Sequence, residues 1–305
     1  MLWLLACTSG GPGPGSKADS DSSPAVDDSS PIQEQRVAGC GNADYPASGQ
    51  HTLDAGPEGD GERGYTLSLP ADYDPDIEYA LVVGYPGTNW LGSQVQPYLD
   101  LERGNTDTLF VYLDPLWRDF SGWGNYGGWV LGPHAWPADG MQDIVFTEAL
   151  LDHMEATYCV DTERVFSTGH SWGGDMSQVV SCFLGDRFTA SVPVAANRPY
   201  WFEPSGGGEV GCVGETQVWT FFGVADDHFT SQAYPGEYGD ECVDFWKELR
   251  GCDDEETELG YGEAGECVGY GSCSSEVRYC LYGPQSKHQV PSYYSEATMT
   301  WFRSF

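Results

Sequence analysis

Two apolar patterns alternate along the chain. The stretch Tyr79–Tyr85 is a continuous apolar run, as expected for a strand buried on both faces of a parallel sheet. Residues 65–70 alternate apolar with polar and predict an early strand ended by Pro70. Further strands are predicted over 108–113, 164–168, 188–196, 217–222 and, last, 277–282. Helical patterning falls between them, over 94–102, 175–184, 242–249 and 294–302. The clearest amphipathic helix spans 141–158, with Ile144, Phe146, Leu150, Leu151 and Met154 as its apolar stripe. Strands alternating with helices predict the α/β class, a mostly parallel central sheet with helices on both faces. There is no internal repeat.

Composition narrows this picture. At 305 residues and 40% hydrophobic, the chain can hold one large domain with a substantial core. Residues 8–38 are rich in Gly, Pro, Ser and Asp and read as a flexible tether, which leaves 39–305 as the folded domain. Ahead of the tether, Leu4-Leu5-Ala6-Cys7 looks like the lipobox of a bacterial lipoprotein signal, with 1–7 as a signal remnant and Cys7 as the lipidated residue. Membrane contact is expected only through that anchor, because no other stretch is long and apolar enough to span a bilayer. With 47 acidic residues against 13 basic ones, the net charge of −34 repels phosphate backbones and excludes nucleic-acid binding. Ten cysteines point to an oxidising compartment, hence a secreted or outer-surface protein. They form no C-x-x-C pair or Cys/His cluster, and the acidic run 253–256 lacks EF-hand spacing. The glycines at 206–208 lack the Lys-Ser/Thr of a phosphate-binding turn. Neither metal nor cofactor is expected, and the protein is expected to be a monomer.

The candidate chemistry centres on Gly169-His170-Ser171-Trp172-Gly173, a G-x-S-x-G pattern between a predicted strand and a predicted helix. A serine on so tight a turn projects its hydroxyl from the carboxyl end of the sheet, and the flanking glycines avoid collisions. Its hydroxyl needs a base to take the proton, and the base needs an orienting carboxylate. In this architecture the order along the chain is serine, acid, histidine. The loop after the strand at 217–222 supplies Asp226, with Asp227 beside it as the alternative acid. The loop after the last strand supplies His288 as base. His228 is the rival base, but it precedes the final strand. The N–H of Trp172 and one from the turn after Tyr85 should form an oxyanion hole. Gly87 is the first choice there and Thr88 the second, since Pro86 has no N–H. Among glycines, residues 117–136 carry Trp117, Trp123, Tyr126, Trp129 and Trp136. Trp117, Trp123 and Trp129 are the candidate substrate-binding residues, as flat aromatics suit a phenolic ring or a sugar face.

Four segments, 65–73, 158–182, 222–226 and 270–288, resemble the secreted feruloyl esterase and polyhydroxybutyrate depolymerase group of α/β-hydrolases, close to carbohydrate esterase family one. Cys-Val-Asp-Thr at 159–162 and a cysteine late in the helix after the elbow are typical of that group. The resemblance implies an α/β-hydrolase fold, an ester substrate, and the disulfides Cys159–Cys182 and Cys252–Cys273, with Cys40–Cys212 more weakly suggested. Cys242, Cys267 and Cys280 remain unassigned. It also implies a serine esterase acting on feruloyl-type esters of plant polysaccharide, with polyester depolymerisation as the alternative. A non-catalytic glycan-binding surface lipoprotein is the alternative from another class. The chain departs from the group at Tyr85-Pro86, where its members have His-Gly.

Overall fold

In the computed structural model, the described residues are 38–200, 211–230, 233–283 and 287–305. The lipobox with Cys7, nearly all of the tether and the glycine run at 206–208 lie outside them. In chain order the elements are β1 (Gly49–Asp54), β2 (Glu62–Ser68), β3 (Tyr79–Tyr85), α1 (Gly92–Leu99), β4 (Thr108–Leu113), β5 (Leu116–Phe120) and β6 (Gly124–Gly128). They continue with α2 (Gln142–Thr157), β7 (Val160–His170), α3 (Trp172–Phe183), β8 (Ala190–Val194), β9 (Gln217–Gly223) and α4 (Glu237–Arg250). The last are β10 (Glu256–Glu258), β11 (Cys267–Tyr270), β12 (Val277–Tyr282) and α5 (Tyr294–Phe302).

Ten strands form one sheet in the order β1-β2-β4-β3-β7-β8-β9-β12-β11-β10. The six from β4 to β12 run parallel, and antiparallel strands extend both edges. The continuous apolar runs occupy the parallel centre for a physical reason. Leu81 and Val83 of β3 join the core layer under α2, α3 and α4, while Ala80 and Val82 join the layer under α1 and α5. Both faces are dry, so every position is apolar. The edge strands β1, β10 and β11 were not anticipated. β10 reads Glu-Thr-Glu and is exposed throughout, so it carries no apolar signal.

The chain moves from β3 outward to β4, then returns past β3 to β7. The carboxyl ends of β3 and β7 therefore adjoin at the point where the winding reverses, with Tyr85 beside Gly169 in register. Crevices at such points are where open α/β sheets bind ligands.

Four disulfides staple the domain, and two pairings differ from those the resemblance implied. Cys40 pairs with Cys159 and Cys182 with Cys212, in place of Cys159–Cys182 and Cys40–Cys212. Local backbone contacts explain the exchange. The segment around Cys40 runs along the end of α2: the Gly39 N–H donates to the Glu155 carbonyl at 2.9 Å, and Asn42 Nδ2 to that of Thr157 at 2.9 Å. That brings Cys40 to Cys159 at the start of β7. At the end of α3, the Cys182 carbonyl accepts from the Val213 N–H at 2.8 Å, which sets Cys212 beside Cys182. Cys252 pairs with Cys273 as implied, and Cys267–Cys280 ties β11 across to β12. Cys242 is a buried free thiol that donates to the Asn197 carbonyl at 2.9 Å.

The aromatic stretch after β4 folds as the two-stranded hairpin β5–β6. A buried ion cluster anchors it. Asp143, wholly buried at the start of α2, meets the buried Arg63 at 2.6 Å and Arg118 of β5 at 3.0 Å. Arg118 also reaches Asp60 at 2.8 Å and the Gly128 carbonyl at 3.0 Å, and the Val130 N–H donates to Asp143 at 2.7 Å.

Candidate active site

The elbow is built by backbone geometry. Ser171 lies between β7 and α3 with φ 59° and ψ −126°, a left-handed conformation that a side chain rarely adopts. Its N–H donates to the Val194 carbonyl at 3.0 Å, and its own carbonyl accepts from Asp175 as the first turn of α3 begins. The flanking glycines are required by close approach. A Cβ on Gly173 would sit 2.0 Å from the Tyr85 carbonyl oxygen, and one on Gly169 would sit 2.1 Å from that of Gly173. The elbow and the turn after β3 thus touch backbone to backbone.

Opposite the elbow, the loops after β9 and β12 bring Asp226 and His288 together. Nδ1 of His288 lies 2.7 Å from Oδ2 of Asp226, and both side chains are almost wholly buried. A carboxylate only accepts, so Nδ1 is the donor of this bond, and the neutral ring would carry its lone pair on Nε2. That Nε2 is buried and has no hydrogen-bond partner among the described residues. The other carboxylate oxygen of Asp226 accepts from the N–H groups of His228 and Phe229 at 2.9 and 3.1 Å. The loop of His288 is held by the Tyr98 hydroxyl, which accepts from the Val290 N–H at 3.1 Å.

The rival residues take outer places. Asp227 is exposed, and its carboxyl is held below the usual range, first by the backbone N–H of His288. It lies 3.4 Å from both Lys287 and Nδ1 of His228. The His228 ring stacks on His288 with centroids 4.0 Å apart. His170 flanks His288 on another side at 4.8 Å. Burial, and then repulsion from His288, depress the pKa of His170 to about 3, so it is a neutral ring at ordinary pH.

Ser171, His288 and Gly87 line one cleft of about 380 Å³ together with Trp90, Tyr98 and His228. A second cleft of about 400 Å³ adjoins it at Thr88 and is lined by Trp123, Tyr126 and Trp172. Among the described residues, no acceptor engages the N–H of Gly87 or of Trp172.

Tyr85-Pro86 is accommodated by the hairpin side of the molecule. Tyr85 is fully buried, with its hydroxyl 3.1 Å from Thr147 Oγ1 and its ring edge-on to Trp129 at 5.5 Å. Burial holds its phenol neutral, far above the ordinary range. Trp129 Nε1 donates to the Pro86 carbonyl at 2.8 Å, and Asn89 exchanges two hydrogen bonds with the backbone of Gly127 at 2.8 and 2.9 Å. This corrects the expectation that Trp129 binds substrate: it is completely buried and supports the turn. Trp117 also stands apart from both clefts, exposed, with its ring over Gly127 and beside Asn89. Of the three tryptophans, Trp123 alone lines either of these two clefts.

Sequence reasoning missed Trp90, Tyr98 and Gln289 as cleft residues. Trp90 was findable, since it follows the turn at the carboxyl end of a central strand. Tyr98 was concealed in a helix, where an aromatic residue usually signals core.

These features define the α/β-hydrolase fold with a strained serine at the sheet's winding reversal. Comparison with known proteins agrees. No family model matches the chain. Among curated proteins it is 33% identical over 168 residues to a probable feruloyl esterase C of Aspergillus clavatus and 31% identical over 159 residues to one of Aspergillus niger. These matches cover 53% and 50% of each chain, so the chain spans about half the length of those relatives. A longer match, 27% identical, covers 83% of this chain and 84% of feruloyl esterase C of Emericella nidulans. Among solved structures, the acetyl xylan esterase from Aspergillus awamori superposes with a TM-score of 0.61 at 15% identity, over 83% of this chain and 98% of that one. An S-formylglutathione hydrolase from Agrobacterium tumefaciens gives 0.57 at 13% identity, over 84% and 94%.

Proposed function

We propose that the protein is a serine esterase acting on feruloyl-type esters carried by plant polysaccharide. The observation that carries the reading is the pair Asp226–His288 at 2.7 Å, with the buried Nε2 of His288 left without a hydrogen-bond partner in a residue that lines the same cleft as Ser171. Nε2 of His288 takes the Ser171 proton as Oγ attacks the ester carbonyl, and Asp226 stabilises the imidazolium without accepting the proton. The negative oxygen of the tetrahedral intermediate is held by the N–H groups of Trp172 and Gly87. Collapse breaks the bond to the alcohol, which leaves with the proton from His288. Water, deprotonated in turn by His288, then releases the acid from Ser171.

The curated relatives named feruloyl esterases support the substrate class, and the aromatic cleft beside Trp172 suits a phenolic ring. Four disulfides support a location outside the cytosol. The test compares ferulate release from methyl ferulate with clearing of a polyhydroxybutyrate suspension. Ferulate release with no clearing is expected. Clearing without ferulate release moves the substrate to polyesters, and the absence of both reactions overturns this substrate class.

A further inference from the structure

The direction of proton flow sorts the two clefts that meet at Thr88. On the mechanism proposed above, His288 returns its proton to the departing alcohol, so that oxygen must leave beside Nε2 of His288. The carbonyl oxygen points at the N–H groups of Gly87 and Trp172. The remaining substituent of the tetrahedral carbon is the acyl chain, and it has to run away from His288. One cleft contains His288 and the other does not. We propose that the slot under the β5–β6 hairpin, formed by Trp123, Tyr126 and Trp172, binds a flat aromatic acyl group, and that the His228 side binds the leaving alcohol, a neutral sugar.

The slot is assembled from three separate elements. Trp172 comes from the elbow, Thr88 from the oxyanion loop, and Trp123 and Tyr126 from the hairpin. The Trp172 ring is wedged in place: it packs on Phe120 at 4.7 Å, and a Cβ on Gly128 would lie 2.7 Å from it. Trp123 meets it edge-on at 5.9 Å and is still 47% exposed, so an aromatic face remains open toward the slot. Edge-on and offset contacts of this kind are what a third ring would extend. A volume of about 400 Å³ falls at the lower end of the range for small-molecule sites.

The other side has different chemistry. The exposed His228 ring stacks on the base itself and lines the same cleft. Its Nδ1 faces Asp227, which leaves Nε2 for a hydroxyl. Gln289 adds an amide, and Trp90 with Tyr98 adds two rings set edge to face at 5.1 Å. Hydrogen-bonding groups among flat faces fit a sugar, and a chain of net charge −34 favours a neutral one over an acidic one.

The test is a factorial comparison of kcat/KM for four esters, ferulate or acetate joined to methanol or to arabinose. Trp123 is exposed at the hairpin turn, so Trp123→Ala should fold, and Tyr126→Ala serves as a second variant. Both should lower the preference for ferulate over acetate by about tenfold or more, whichever alcohol is present. His228→Ala should lower the preference for arabinose over methanol by a similar factor of about ten, whichever acid is present. The assignment is overturned if the two effects exchange places, or if the variants depress all four esters equally. It is also overturned if the wild-type protein cleaves acetates but neither ferulate, although the esterase reading survives that result. Cleavage of none of the four by the wild-type protein defeats the esterase reading itself.

Discussion

At the scale of single residues, two side chains near Ser171 act through what they support. Trp129 reads in the sequence like any exposed loop tryptophan, and its role became visible only when its indole N–H met the Pro86 carbonyl at 2.8 Å. Trp129→Phe keeps the ring and removes that bond, so the turn carrying Gly87 is freed. We expect kcat to fall about tenfold to a hundredfold with KM little changed, since small misplacements near the reacting atoms are costly. A kcat equal to that of the wild-type protein would contradict this. His170 makes a prediction about pH. Its folded-state pKa of about 3 lies below the ordinary 6.5, so the unfolded chain binds more protons between these values. Its contribution to stability is complete above 6.5 and is lost as the pH falls toward about 3, at about 1.4 kcal/mol for each unit of depression. Urea midpoints at about pH 7 and about pH 4 should therefore converge in His170→Gln relative to wild type. An unchanged difference would mean that His170 is not buried as described. Ser171, Asp226 and His288 can be singled out in the sequence as candidates because each follows a strand end in the order serine, acid, histidine. His170 cannot, because the variable position of an elbow says nothing about burial.

At the scale of elements, legibility followed burial. The strand Tyr79–Tyr85, the strand Thr108–Leu113 and the helix Tyr294–Phe302 have the limits their apolar runs predict, since both faces of the first two are dry. The edge strands were missed because exposed positions need no pattern. The hairpin β5–β6 carries no strand signal because glycines at 124, 127 and 128 dilute any alternation. Its anchorage depends on charged residues that pair far along the chain, Arg63 and Arg118 with Asp143, and spacing does not reveal such a cluster. Removing the carboxylate leaves the fully buried Arg63 without an acidic partner, while Arg118 keeps Asp60. Asp143→Ala should thus cost about 3–5 kcal/mol in chemical denaturation. A loss below about 1 kcal/mol would show that water relieves the cluster.

At the scale of the whole molecule, cysteine pairing holds the frame together. The Cys40–Cys159 bridge spans 119 residues and ties the start of the domain to the central strand β7. Replacing both by serine should destabilise the fold by about 4–5 kcal/mol on the chain-entropy account. Peptide mapping without reductant should recover the Cys40–Cys159 and Cys182–Cys212 linkages, and recovery of Cys159–Cys182 would refute the pairing. The pairing was hidden from the sequence because three alternatives exist for any four cysteines, and backbone contacts choose among them. The fold turns this stapled frame to one end, placing the turn after β3, the elbow after β7 and the loops after β9 and β12 around a single cleft. The central claim is that Ser171 is the nucleophile there. It is tested most directly by treating the protein with an aryl phosphonate ester and locating the adduct by peptide mass spectrometry. One phosphonyl group on Ser171, absent from Ser171→Ala and accompanied by loss of esterase turnover, is the predicted result. A protein that stays unlabelled, or one labelled elsewhere while still hydrolysing esters, would contradict the account.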